Sequence, residues 1–214
     1  MLDGVVGWPT EFARRYRERG CWRGVTLGEA FDRSVVTNAD RVAVVDGARR
    51  WSYRELGGRV DRLALQLARR GISGGQRVVF QLPNVLEFNV GYFACLKVGA
   101  IPLACLPAHR HAEIEYLARF TEAAAWFIPS EFRNFDYVAM AAELREKLPG
   151  LREIFVVGER AAPGMTLLSD LLDDPIEERV SPGTLSSLRP DPAAPAVFQL
   201  SGGTTGLPKV IPRT

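Results

Sequence analysis

Between residues 77 and 157 the chain alternates short apolar runs with stretches patterned like helices, and this alternation limits the available folds more than any other feature. Strands are expected at Arg77–Leu82, Ala100–Leu106, Trp126–Ile128 and Ile154–Val157. Helices are expected over Glu87–Val98, Ala112–Glu122 and Asp136–Leu148. Pro83-Asn84 closes the first strand and Gly99 stops the helix that follows it. Strands separated by helices are joined by right-handed crossovers, and apolar strands need cover on both faces. The expected class is therefore α/β, with a mainly parallel, helix-covered sheet.

The first seventy residues carry sharper local signals. Thr26-Leu27-Gly28-Glu29 has capping-box spacing and opens a helix to about Asn38. Val42–Val45 and Arg50–Tyr53 flank Asp46-Gly47, a hairpin turn pair. Ser52-Tyr53-Arg54-Glu55 is a second capping box, followed by Leu56, Val60, Leu63 and Leu67 on one helical face. Residues 159–195, richer in Pro, Asp and Ser, read as a looser connection with one apolar patch at Leu167–Leu172. A strand at Ala196–Leu200 then enters a loop of glycines and threonines. Residues 1–195 are thus expected to form one α/β subdomain, and 196–214 to open the next with a strand and loop. The chain ends soon after that loop, so the apolar side chains of the Ala196–Leu200 strand are expected to be under-buried.

Charge and cysteine content exclude several classes. The 27 basic and 25 acidic residues leave a net +2, too balanced for a nucleic-acid binder. Cys21, Cys95 and Cys105 form no C-x-x-C, and the latter two sit in apolar runs, which fits a reducing compartment. The N-terminus lacks a basic and an apolar signal region. Val90 to Pro107, the longest apolar run, is broken by Lys97, Gly99 and Pro102. A cytoplasmic location without membrane contact is the expectation.

The strongest chemical signal is Ser201-Gly202-Gly203-Thr204-Thr205-Gly206-Leu207-Pro208-Lys209. Three glycines let backbone N–H groups converge on an anion, three hydroxyls add donors, and Lys209, one of only three lysines, supplies a point charge. The pattern suggests a polyphosphate cradle; a flexible turn is the plain alternative. It is not the P-loop of nucleotide hydrolases, because Leu207-Pro208 separates the last glycine from the lysine and Val210 follows. Nor does it have dinucleotide-fingerprint spacing, and Pro208 and Pro212 oppose a following helix.

Ser201–Lys209 resembles the phosphate-binding signature of the adenylate-forming enzymes, which include acyl- and aryl-CoA ligases, luciferases and peptide-synthetase adenylation domains. Trp51-Ser52-Tyr53-Arg54-Glu55-Leu56 and Leu96-Lys97-Val98-Gly99-Ala100 with Pro102-Leu103 are similar to two earlier segments of that family. A narrower likeness is to the stand-alone ligases that activate 2,3-dihydroxybenzoate or salicylate for siderophore assembly. It rests on Leu106-Pro107-Ala108-His109-Arg110, Phe198-Gln199-Leu200, Ile211-Pro212-Arg213-Thr214 and the opening Gly7-Trp8-Pro9…Phe12-Ala13…Tyr16. The family at large has Gly after the signature lysine; Val210 matches the aryl-acid branch.

The resemblance implies the adenylate-forming fold and a two-step reaction. An aryl carboxylate attacks the α-phosphorus of ATP, and the phosphopantetheine thiol of an aryl-carrier protein then takes the acyl group. It further implies that Ser201, Thr204, Thr205 and the backbone of Gly202, Gly203 and Gly206 bind the β- and γ-phosphates. Lys209 adds charge and Mg²⁺ bridges phosphates, with no protein metal site among these residues. Catalytic residues are expected beyond Thr214, so the 214 residues read as an N-terminal portion, inactive alone. An aryl- or acyl-CoA ligase fragment, or a non-catalytic nucleotide-binding fragment, are the alternatives. His109 and His111 lack the partners of a zinc site, and His109 is placed in a loop or helix start at the ligand-bearing edge, without a catalytic role. Arg14-Arg15-Tyr16-Arg17-Glu18-Arg19 reads as a solvated helix face rather than a nucleic-acid contact.

Overall fold

A computed structural model describes residues 4–201 and 208–214. Helix α1 (Thr10–Glu18) lies in an N-terminal arm, where Trp8, Tyr16 and Trp22 pack their rings together. Helix α2 (Leu27–Thr37) leads to the hairpin β1 (Val42–Asp46) and β2 (Arg49–Ser52), then α3 (Tyr53–Arg69). The alternating region follows as β3 (Arg77–Phe80), α4 (Leu86–Val98), β4 (Ile101–Ala104), α5 (His111–Phe120) and β5 (Ala125–Pro129). After a two-residue hairpin, β6 (Glu131–Phe132) and β7 (Phe135–Asp136), come α6 (Tyr137–Lys147) and β8 (Glu153–Val157).

Seven strands form one sheet. β3 is central, pairing in parallel with β4 on one side and β5 on the other, and β5 pairs in parallel with β8. Beyond β8 lies the short β9 (Thr166–Leu167), also parallel. Beyond β4 lie β10 (Val197–Leu200), parallel, and β11 (Val210–Arg213), antiparallel to β10. The expected α/β class holds, with the three expected strands 77–82, 100–106 and 126–128 adjacent in a single sheet.

The period of two along each strand divides the core. Val78, Phe80, Phe127 and Phe155 face α3 and α4, while Val79, Leu103, Trp126 and Ile154 face the side closed by α5 and α6. On the first face α4 passes close to the sheet at Gly91. A Cβ there would stand 2.8 Å from Phe80 Cε1 and 3.2 Å from Phe127 Cε1. Lys97 ties the helices together, donating at 2.6 Å to Asp32 of α2 and also to Asp61 of α3.

Two expectations are corrected by packing. Residues 159–195 do not form a loose connection: α7 (Leu168–Asp173) and a 3-10 turn (Ile176–Arg179) bury Leu168, Leu171 and Ile176. Arg62–Glu177 and Gln66–Asp174 contacts fasten the segment to α3, and α8 (Thr184–Ser187) completes it. Nor is the strand at 197–200 under-buried. Val197 and Phe198 are covered, because β10 lies between β4 and the unanticipated β11. Pro212 opposes a helix here, and the segment is a strand instead, since an edge strand tolerates a missing N–H.

Both expected capping boxes are formed, and α5 has a similar carboxylate cap. Glu29 accepts from the Thr26 N–H at 2.9 Å, Glu55 from Ser52 at 2.8 Å, and Glu113 from Arg110 at 2.9 Å. These backbone hydrogen bonds hold all three carboxyls below their usual range. A folded pKa below the unfolded one gives stability that is present above about pH 4.3 and lost as pH falls through the folded value. Asp61 runs the other way, since burial pushes its carboxyl up against the pull of Lys97. With three caps against one, the thermal midpoint is expected to stay level from pH 7 to 5 and to fall below pH 4. Circular dichroism melts would check this, and Glu29→Gln should flatten the acid limb; an unchanged midpoint at pH 3 would contradict it.

Candidate functional site

The carboxyl ends of β10, β4, β3, β5 and β8 share one edge of the sheet, which in such folds is where ligands bind. The signature loop leaves this edge from β10. Its neck is a cross-strand pair: the Ser201 N–H donates to the Lys209 carbonyl at 2.9 Å, and the Lys209 N–H donates to Ser201 Oγ at 3.2 Å. Ser201 thus accepts one bond and keeps its own O–H to donate. Gly202, Gly203, Thr204, Thr205 and Gly206 lie outside the described residues. Lys209 is exposed and has no acidic partner among the described residues, whereas Lys97 is held by two aspartates and Lys147 lies 3.7 Å from Glu115.

The neighbouring exit, after β4, is a tight turn. The register Phe198↔Leu103 brings Leu106 level with Ser201, and the His109 N–H donates to the Leu106 carbonyl at 3.0 Å. Three side chains hold this turn through its carbonyls. Gln81, fully buried at the end of β3, donates from Nε2 to His109 O at 2.7 Å. Tyr137 Oη donates to Pro107 O at 2.6 Å, and Arg110 donates to Pro107 O and His109 O while lying 3.9 Å over the Phe135 ring. The Gln81 role has no periodic signature: a lone glutamine ending an apolar strand is the only trace it leaves in the sequence.

A crevice of about 480 Å³ opens along the same edge between the exits of β3, β5 and β8, lined by Asn84, Val85, Pro129, Ser130, Phe132 and Gly158. It sits where the chain switches direction, with α4 on one face and α6 on the other. Gly158 has φ +143°, and a Cβ there would collide with Ser130.

Other chemistry is absent from the described residues. Burial pushes the Cys105 thiol up to about 12 and the Cys95 thiol further up, so neither is a nucleophile at neutral pH. No three metal-ligating side chains cluster among them. His109 and His111 diverge, His111 meeting Glu143 of α6 at 3.1 Å. No helix among the described residues is long and apolar enough to cross a membrane.

Comparison with known proteins agrees with this geometry. Residues 31–214 match the family described as AMP-binding enzyme. The whole chain aligns at 44% identity with a 2,3-dihydroxybenzoate-AMP ligase of Bacillus subtilis, covering 38% of that protein. It aligns at 41% identity with the salicyl-AMP ligase / salicyl-S-ArCP synthetase of Mycobacterium tuberculosis, covering 37% of it. The apo structure of Mycobacterium smegmatis MbtA superposes with a TM-score of 0.85 at 38% identity over 99% of this chain and 38% of that one. The chain therefore spans somewhat over a third of the length of the relatives it matches.

Proposed function

This chain belongs to the AMP-binding enzyme family, and from that premise we propose that it supplies the N-terminal part of a ligase that activates an aryl acid with ATP. The observation that carries the reading is the Ser201–Lys209 pair, which closes the signature loop at the ligand-bearing edge and leaves an exposed ammonium there. In this reading residues 1–195 form the α/β subdomain and 196–214, strand and phosphate loop, open the next. Ser201, Gly202, Gly203, Thr204, Thr205, Gly206 and Lys209 cradle the β- and γ-phosphates. Mg²⁺ enters as counter-charge carried with the polyphosphate.

The proposed reaction starts from an anion, so positioning and charge neutralisation do most of the work. A carboxylate oxygen of 2,3-dihydroxybenzoate or salicylate bonds to the α-phosphorus, and the bond to pyrophosphate breaks. A phosphopantetheine thiol of an aryl-carrier protein then bonds to the acyl carbon, losing its proton, and AMP leaves. We assign the activity to the cytoplasm, where ATP and reduced thiols coexist. ATP–pyrophosphate exchange by the protein at the length of its relatives tests the first step. Exchange driven by hydroxybenzoates and not by fatty acids is the expected result, and exchange with no aryl acid at all would reject the reading. Supplying either carrier protein or coenzyme A afterwards identifies the acceptor, the latter marking a CoA ligase.

A further inference from the structure

We propose that the N-terminal arm, residues 4–24, is the seat for the stretch of chain that directly follows Thr214 in the longer ligase. That stretch lays apolar side chains on Val6, Trp8 and Phe12 and sets carboxylates against the arm's arginines. The inference rests on the reading of this chain as the N-terminal part of such a ligase.

The arm is built as a contact surface. Its ring contacts, ion pair and backbone hydrogen bonds among the described residues are all internal. Trp8, Tyr16 and Trp22 pack on one another, and the N–H groups of Cys21 and Trp22 donate to the Tyr16 carbonyl at 2.9 and 3.1 Å. This cluster shapes the arm but leaves Val6 92% and Trp8 56% exposed, with Phe12 exposed as well. A nine-residue helix is too short to be stable through its own hydrogen bonds, and clustered apolar exposure of this kind marks a contact site. Charge is one-sided too, with five arginines against two glutamates over residues 4–24. Arg14 meets Glu18 at 3.7 Å, while Arg15 and Arg17 lie over the rings of Phe12 and Trp22 and have no acidic partner among the described residues. Aromatic and guanidinium groups side by side suit an occupant that is apolar and acidic.

The place of Thr214 selects that occupant. β11 runs back from the ligand-bearing edge, and the Ala196 N–H donates to the Arg213 carbonyl at 2.7 Å, which fixes the end of β11 at the opposite, amino edge of the sheet. There Thr214 lines a cavity of about 70 Å³ together with Val25, Thr26 and Leu27, where the arm joins α2. Leu27 is itself 46% exposed. Chain that continues from Thr214 therefore leaves the body at the root of the arm. The matched region is 38% of the Bacillus subtilis relative, so most of that protein's length lies outside it. A segment tethered this close outcompetes a second molecule for the same surface.

Hydrogen exchange of α1, with a photo-crosslinking benzophenone amino acid at position 12, tests this on the 214-residue chain and on the protein at the length of its relatives. In the longer protein the α1 amides are expected to exchange about tenfold or more slowly than in the shorter one, while those of α3 exchange alike in both. Illumination is expected to join position 12 to a peptide of the same molecule just beyond Thr214. Val6→Asp should leave α1 exchange in the 214-residue chain unchanged and speed it severalfold in the longer protein. Equal α1 exchange at both lengths would overturn the proposal, as would a cross-link that joins two molecules or ends within residues 25–214. ATP–pyrophosphate exchange by the same preparation separates the two claims. Aryl-dependent exchange with an unprotected arm sinks this proposal alone, and a protected, cross-linked arm without such exchange sinks the ligase reading alone.

Discussion

Phe127→Ala is expected to lower the unfolding free energy by about 3–5 kcal/mol, the usual cost of emptying a buried phenylalanine site. Phe127 lies wholly inside the molecule between two other fully buried rings, stacked on Phe80 at 4.5 Å and tilted against Phe155 at 4.7 Å. The three rings come from β3, β5 and β8, so one truncation opens a hole under α4 at the middle of the sheet. Domains are stable by about 5–15 kcal/mol, so the loss is a large share of the total. Guanidinium titrations followed by tryptophan fluorescence would measure it, Trp126 being the neighbouring reporter. Gly91→Ala should destabilise by about 1–3 kcal/mol by overpacking, since the added methyl would press on the Phe80 and Phe127 ring edges. Added to Phe127→Ala it should cost less than it does alone, because the hole relieves the clash. A cost for Phe127→Ala below about 1 kcal/mol would mean that the aromatic stack is not the centre of the core.

The parts of this fold that could be read in advance are those with local causes. Capping boxes at Thr26 and Ser52 need only residues three apart, so both formed where expected, and the hairpin formed as well, with its turn one residue on at Gly47-Ala48 because Asp46 pairs with Arg49 in the ladder. The parallel strands were legible because apolar runs between helices have few alternative arrangements. What was not legible depended on partners remote in sequence. β11 exists because β10 offers it a ladder, and neither Pro212 nor the residues around it announce that. Residues 159–195 read as a looser connection, despite the apolar patch at Leu167–Leu172, because the anchors of 168–179, Arg62 and Gln66, lie more than a hundred residues earlier. The β6–β7 turn uses Arg133 and Asn134 at φ 51° and 59°, values that the fold imposes on an arginine no turn rule would select. The candidate site divides in the same way. Its glycine- and hydroxyl-rich loop is a local motif and stands out in the sequence, whereas the Gln81 clamp and the placing of the turn after β4 next to Ser201 exist only once β3, β4 and β10 are adjacent.

Lys209→Ala is expected to lower ATP–pyrophosphate exchange by about ten- to a hundred-fold in the ligase of which we propose this chain is part. Loss of one charge-assisted contact is worth about 1.5–3 kcal/mol. The side chain stands at the foot of the signature loop, its backbone fixed by the two Ser201 hydrogen bonds, so alanine keeps the hairpin and removes only the ammonium. With no acidic partner among the described residues, Lys209 has its charge available for the polyanion, and its removal strands no carboxylate. Stability should therefore be nearly unchanged, which separates this loss from unfolding. Lys147→Ala, on α6, is the matched control and should exchange at the wild-type rate. Gly203→Val should do harm comparable to Lys209→Ala by another route, since a β-branched side chain obstructs both the backbone and the approach of a phosphate. The two lesions should differ in character: Lys209→Arg should recover part of the activity by restoring charge, while no charged substitution should rescue Gly203→Val. Wild-type exchange in both Lys209→Ala and Gly203→Val would make the loop an ordinary turn and move the phosphate site elsewhere along the sheet edge, with the crevice beside Ser130 and Gly158 the next place to probe.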